Sequence, residues 1–229
     1  MISPSLYYEK NLYPLQDGVM SILSQSYTDF FLTGGTALSR AYYNHRYSDD
    51  LDFFVNQSQT FDEQLDKALD MLSDNGYIWD TGKNYTRAEN FATINVRKNT
   101  EVSLKLDFVN DSVPLFGEII KNDLFHRIDS IRNILSNKLS AIFRYAAKDV
   151  ADIREIGINE TINWSDIIQE ARQKEAGIDL VYISEILKGM PEDKFDTIAW
   201  VRKPGWNEFR DDINRIVDDM LSDNNIESA

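Results

Sequence analysis

The sequence predicts an α/β (α+β) chain: a mixed β-sheet flanked by helices in the first half, then a helical second half. Three observations point there. A small-residue turn, Gly34-Gly35-Thr36, follows the apolar run Phe30-Phe31-Leu32 and leads into a stretch without Pro or Gly. Two short segments, Leu51 to Val55 and Leu104 to Val109, suit strands, and the second alternates polar and apolar residues. After Asn110-Asp111 the pattern turns helical, punctuated by Gly189-Met190-Pro191 and Lys203-Pro204-Gly205.

In chain order, Leu12 to Ser26 suits a helix packed on a sheet, and Asp29 to Thr33 a first strand. Ala37 to Tyr43 reads as helix and Leu51 to Val55 as the second strand. From Phe61 to Asn75, apolar residues at Phe61, Leu65, Ala68, Leu69 and Leu72 form a helical stripe, with Gly76 as its cap. Tyr77 to Trp79, Phe91 to Val96 and Val102 to Val109 read as a strand meander, with a turn at Asn99-Thr100. Helices are expected at Asn133 to Ala147, Trp164 to Lys174, Leu180 to Lys188 and Asn207 to Leu221. The change of pattern sets the expected domains at 1–111 and 112–229, packed together with the active site in the cleft between them.

With 229 residues, 42% of them hydrophobic, the chain can bury a substantial core. No run is long enough to span a membrane, and no secretory signal is visible at the start, so the expected location is cytoplasmic. The absence of cysteine excludes disulfides and thiolate metal sites, and His45 and His126 stand too far apart in sequence to suggest zinc. A net charge of −14 argues against a general nucleic-acid coat but leaves room for a local basic cleft, with Arg40, Arg46, Arg87, Arg97, Lys98, Lys105 and Lys138 near the first half. The acids Asp211, Asp212, Asp218, Asp219 and Asp223 read as a solvated helix face, or as a surface for a basic partner.

The chemistry concentrates where thirteen residues separate Gly34-Gly35-Thr36 from Asp50-Leu51-Asp52. A strand repeats every two residues, so Asp50 and Asp52 share a face. Adjacent carboxylates need a cation, and Mg²⁺ prefers oxygen ligands of this kind. The turn offers backbone N–H groups and a hydroxyl to a phosphate, with Gly supplying positive φ and close approach. Lys105 and Asp107 share the polar face of the later strand; beside the second strand, Asp107 completes a set of three carboxylates able to hold two metal ions. This pattern implies phosphoryl or nucleotidyl transfer.

These residues resemble the nucleotidyltransferase superfamily with the DNA polymerase β-like fold. The segments Phe31-Leu32-Thr33-Gly34-Gly35-Thr36-Ala37-Leu38 and Arg46-Tyr47-Ser48-Asp49-Asp50-Leu51-Asp52-Phe53-Phe54 are similar to the AbiEii/AbiGii toxin family. Lys105-Leu106-Asp107, Lys138 and Lys148-Asp149-Val150-Ala151-Asp152 resemble its later motifs. The resemblance implies use of an NTP with Mg²⁺ (or Mn²⁺), transfer to an acceptor hydroxyl on RNA, tRNA-like in some relatives, or on protein, and a cognate antitoxin. It implies that Asp50 and Asp52 bind both metals, that Asp107 binds the one activating the acceptor, and that Gly34, Gly35 and Thr36 hold the triphosphate.

Other residues carry two readings each. Lys138 lies in an apolar helical stripe with Ile131, Ile134, Leu135, Ile142 and Tyr145, so it either forms a buried salt bridge or reaches an anion. The resemblance tips it toward neutralising the triphosphate. Asp149 and Asp152, on a continuous helix, would lie too far along to pair with Lys138; Asp149 then orients the nucleotide or caps a helix. Arg46 suits a phosphate contact or a plain surface position, and Ser48 a hydrogen bond orienting a carboxylate. The rival functions are a nucleotide-binding module without transfer, and a nucleotidyltransferase or kinase of the same fold acting on a small molecule.

Overall fold

The computed structural model describes residues 4–82, 85–99 and 101–226. It divides into two compact units, Met1–Val113 with Glu118–Asp129, and Pro114–Gly117 with Ser130–Ala229.

The first unit begins with α1 (Pro4–Tyr7), a π-wound turn (Tyr8–Leu12) and α2 (Tyr13–Leu23) in unbroken succession. Strand β1 (Phe31–Thr33) passes into α3 (Gly34–Ala37), which continues as a π-wound segment (Leu38–Tyr43) closed by Asn44 at φ 51°. Then follow β2 (Leu51–Asn56), α4 (Phe61–Asp74), β3 (Thr86–Ala88), β4 (Phe91–Val96) and β5 (Leu104–Asp111). The α4 terminus shows why Gly76 is there: at φ 81° it lets its own N–H reach Ser73 O and the Tyr77 N–H reach Leu72 O.

The strands form one mixed sheet in the order β1-β2-β5-β4-β3. Among the described strands only β2 and β5 pair in parallel; the other neighbours are antiparallel. One face is apolar, with Leu51, Phe53, Val55, Ala92, Ile94, Leu104, Leu106 and Phe108 buried. Helix α4 covers it: Phe61 meets Phe30, and Phe30 meets Phe108. The other face holds Asp52, Asp107 and Lys105. The β1 edge is closed by residues 127–129, through Leu32 N–H to Arg127 O and Asp129 N–H to Leu32 O, both at 2.9 Å. This ladder draws Glu118–Asp129 into the first unit, past the change of sequence pattern near residue 112.

One expectation needs correction. The meander's outer strand is Thr86–Ala88; Tyr77 to Trp79 contributes only an isolated bridge from Ile78 to Arg97. Tyr77 is buried without lying in a ladder. In the expected turn, Asn99 has φ 52°, whereas Thr100 lies outside the described residues.

The second unit holds α5 (Ile131–Ser140), a 3₁₀ turn (Ile142–Arg144), α6 (Ala147–Asn159), α7 (Trp164–Lys174), α8 (Leu180–Lys188), α9 (Glu192–Asp196) and α10 (Trp206–Ile226). Side-chain caps fix three starts: Ser130 accepts from Asn133 N, Asn163 from Asp166 N, and Asp179 from Val181 N and Tyr182 N. Gly157 lets α6 and α10 approach closely, because a Cβ there would stand 2.6 Å from Ile216 Cδ1. The acidic residues of α10 are not simply solvated: Asp212 holds Arg154 and Arg215, Asp218 holds Lys188, and Asp223 accepts from Trp164 N.

Candidate active site

Strand register does the first part of the work. Thr33 pairs with Asp52, Asp52 with Asp107, and Asp107 with Thr93. Paired residues share a face and neighbouring strands lie about 4.8 Å apart, so one row across the sheet reads Thr33, Asp52, Asp107, Thr93. The parallel β2–β5 pairing places Asp107 directly beside Asp52.

The glycine turn faces this row. Gly34 adopts φ 68°, and a Cβ built on it would collide with Asp52 Oδ2 and lie 3.2 Å from its Cγ. The carboxylate therefore rests against the backbone that opens α3. Helical N–H groups of that first turn have no intrahelical carbonyl partner and favour an anion. The Thr36 hydroxyl, expected to meet a phosphate, is instead fully buried and donates to Asp50 O at 2.5 Å. It ties the turn to the acidic strand and leaves anion contact to the backbone.

The loop from His45 to Asp50 is braced from below. Gln16 Nε2 donates to Ser48 O at 3.0 Å and to Asp49 O at 3.2 Å. Tyr8 stacks on Tyr47 with ring centroids 4.4 Å apart, and its hydroxyl donates to Asp49 Oδ1 at 2.6 Å. Burial and that carboxylate push the Tyr8 phenol up, so it remains a donor throughout the ordinary pH range. Arg46 is not a surface residue: it is 4% exposed, donates from Nη1 to Tyr47 O, and presses Nη2 against Gly35, where a Cβ would collide. The Ser48 hydroxyl stands 3.1 Å from that Cβ position. Both residues pack beneath the turn.

Lys105 supplies the positive charge among the acids. Its ammonium donates to Asp107 Oδ2 at 2.5 Å, and Thr93 donates to Asp107 Oδ1 at 2.6 Å. Burial works against the ammonium, but the bond to Asp107 and the fields of Asp107, Asp50 and Asp52 hold its pKa above the usual lysine value. Among the described residues, no group of three or more carboxylate or imidazole side chains is set to hold a metal ion by itself. Lys105 and Thr93 engage both oxygens of Asp107.

Lys138 and Asp149 lie in the second unit, where the expectation of one continuous helix fails. Helix α5 ends at Ser140, Tyr145 takes φ 55°, and α6 starts at Ala147. The reversal returns Asp149 and Asp152 to Lys138, whose Nζ lies 2.6 Å from Asp149 Oδ1 and 2.6 Å from Asp152 Oδ2. Arg144 adds two bonds to Asp149, at 2.5 and 2.8 Å. Burial raises the Asp149 pKa, but Lys138 and Arg144 outweigh it and hold the carboxyl below its usual range. Lys138 is therefore in a buried salt bridge, and Asp149 is the acceptor for two cations.

The glycine turn that follows β1 and the registered acids Asp52 and Asp107 thus lie together on the sheet's polar face. The family described as nucleotidyl transferase AbiEii toxin, of type IV toxin–antitoxin systems, matches residues 20–226. The chain belongs to this AbiEii family. It is 28% identical over 200 residues to the uncharacterized protein aq_aa25 of Aquifex aeolicus, covering 84% of this chain and 88% of that one. Among solved structures, JHP933 of Helicobacter pylori shares the fold with a TM-score of 0.67 at 20% identity, over 96% of this chain and 94% of the other. The nucleotidyltransferase toxin MenT4 of Mycobacterium tuberculosis matches with a TM-score of 0.63 at 14% identity, over 96% and 90%. No helix among the described residues is long and apolar enough to cross a membrane.

Sequence reasoning passed over several residues that shape this AbiEii site. Thr93 and Thr33 flank the acid row, and Thr33 Oγ1 donates to the fully buried Asp129 at 2.5 Å. The alternation of Phe91 to Val96 already placed Thr93 on the polar face. Nothing local in the sequence marked Tyr8 or Gln16 as braces for a loop more than thirty residues away.

Proposed function

We propose that this AbiEii protein is a metal-dependent nucleotidyltransferase. It transfers NMP from an NTP to a hydroxyl of an RNA, tRNA-like in character, or of a protein, and it acts as the toxin partner of a cognate antitoxin. The observation that supports this most is the contact of the Gly34 turn with Asp52, in register with Asp107. It sets a phosphate-binding backbone against carboxylates. The donor set fits Mg²⁺ or Mn²⁺: Asp50 and Asp52 offer hard oxygens, with Asp107 alongside, and such ions complete their shells with water and phosphate oxygens. When bound, the ion supplies charge neutralisation for the triphosphate and the acceptor oxygen.

The protein's own groups then divide the work. The first-turn N–H groups of α3 hold phosphate oxygens and orient the α-phosphorus. The acceptor hydroxyl forms the new O–P bond, the bond to pyrophosphate breaks, and the hydroxyl proton passes to the carboxylate side of the site. Lys105 holds Asp107 until substrate and counter-ion compete for it. Thr36 and the Arg46 brace keep turn and acids at a fixed spacing.

A second reading, nucleotide binding without transfer, is favoured by the engagement of both Asp107 oxygens. One experiment separates the two. Wild type and an Asp50→Ala/Asp52→Ala variant are incubated with Mg²⁺, total bacterial RNA and each α-³²P-labelled NTP. Label entering RNA or protein with wild type alone supports transfer. NTP binding without label supports the second reading.

A further inference from the structure

A second basic site lies in the first unit, at the opposite end of β1 from the Gly34 turn. Tyr27 and Thr28, just before the strand, border a cavity of about 790 Å³ whose other walls include Lys121, His126 and Arg127. Tyr27 adopts φ 52°, which a side-chain-bearing residue rarely takes. The residue is 91% exposed, with Lys67 Nζ 5.8 Å from the ring centroid. In a chain of net charge −14, three cations gather here, and among the described residues none of the three is in an ion pair. Asp123 is the lone acid on the cavity wall.

Two buried polar atoms strengthen the case. Arg127 Nε and His126 Nδ1 are buried without a hydrogen-bond partner among the described residues. A buried N–H left unpaired costs about 1–3 kcal/mol, and such groups are satisfied by a bound ligand, an ion or water. The His126 imidazole is held neutral by burial and by Arg127, so the positive charge comes from Arg127, Lys121 and Lys67.

An exposed ring bordered by unpaired cations is the arrangement that binds a single-stranded nucleic acid: bases stack on the aromatic face and the backbone follows the cations. We propose that this surface docks a single-stranded segment of RNA, with a base on Tyr27 and phosphates at Arg127, Lys121 and Lys67. The inference deepens the proposed function by giving the acceptor RNA a docking surface away from the acids, and rests on that reading for the word acceptor alone.

The test is fluorescence anisotropy of a 5′-fluorescein-labelled twelve-residue oligouridylate, in EDTA and without NTP, across a range of NaCl. Wild type is expected to bind. The Arg127→Gln/Lys121→Gln variant is expected to bind at least tenfold more weakly. Its plot of log K against log salt should be shallower by about 1.4, the value for two lost phosphate contacts on a single strand. Tyr27→Ala should weaken binding about tenfold, in the range of one lost stacked base, and leave the slope unchanged. Lys67→Gln, at an exposed position, gives an independent slope change of about 0.7 should the Arg127 variant not fold. Absence of wild-type binding, or wild-type affinity and slope in the variants, overturns the proposal. Competition by polyglutamate as strong as by oligouridylate also overturns it, in favour of an acidic protein partner. Since the assay contains neither metal nor NTP, its result is independent of transfer; intact RNA binding without labelled product would count against the proposed function alone.

Discussion

Replacing Lys138 by Met separates a structural lysine from a substrate-binding one. The Lys138 side chain is 7% exposed, and the Asp149 and Asp152 side chains that flank it are 0% exposed. Removing one partner of a buried pair leaves an uncompensated charge, at a cost of about 3–5 kcal/mol. Asp149 keeps Arg144 through two bonds, so the lower end, about 3 kcal/mol, applies. With a urea slope of about 2–3 kcal/mol/M, the unfolding midpoint followed by circular dichroism should fall by about 1–1.5 M. Replacing both partners, Lys138→Met/Asp152→Leu, removes the stranded charge and should return stability to within about 1 kcal/mol of wild type. A Lys138→Met cost below about 1 kcal/mol would refute the buried salt bridge. Lost transfer with an unchanged midpoint would assign the ammonium to the triphosphate instead.

Gly34→Ala meets both a left-handed backbone and the Asp52 carboxylate. It should lower stability by about 1–2 kcal/mol and transfer by at least tenfold, read by thermal melting and labelled-product assay. Asp149 has a depressed pKa, so its stabilisation is present above the unfolded value near 3.9 and is lost as pH falls through the folded value. The melting-point gap between wild type and Asp149→Asn should therefore be largest near neutrality and close below about pH 4. Lys105→Met removes a side chain that is 39% exposed, so stability should change by less than about 1 kcal/mol. Calorimetry should show tighter Mg²⁺ binding, because Asp107 is released. Asp107→Asn should reduce transfer by about a hundredfold or more with folding retained.

Much of this was legible where local chemistry and period agree. Helices α7 and α8 span the expected ranges, Trp164 to Lys174 and Leu180 to Lys188, and begin where Asn163 and Asp179 cap them. The faces of β2 and β5 follow from alternation, but their adjacency is a tertiary fact; only the parallel pairing brings Asp107 to Asp52. Strand β3 escaped notice because Thr86, Arg87 and Ala88 are all exposed and carry no apolar alternation. The break before α6 was hidden for another reason. Phe143-Arg144-Tyr145-Ala146 contains neither Gly nor Pro, and the positive φ falls on a tyrosine. With that turn unseen, Lys138 and Asp149 looked too distant to meet. The burial of Arg46 against the Gly35 turn could not be read from the sequence, because a charge in a loop gives no sign of what encloses it.

The ladder that closes β1 has a consequence during synthesis. Leu32 leaves the ribosome long before Arg127, Ile128 and Asp129, which supply its outer hydrogen bonds. At roughly 5–20 residues per second, that interval is on the order of ten seconds. Throughout it, the strand that carries the glycine turn exposes an open edge, the kind of surface that recruits other chains. The chain also crosses between its two units at three places, around residues 113, 117 and 129. A nascent chain that has finished its fifth strand has therefore not finished its sheet, and a fragment ending at residue 111 would keep every strand yet lack the segment that seals the first.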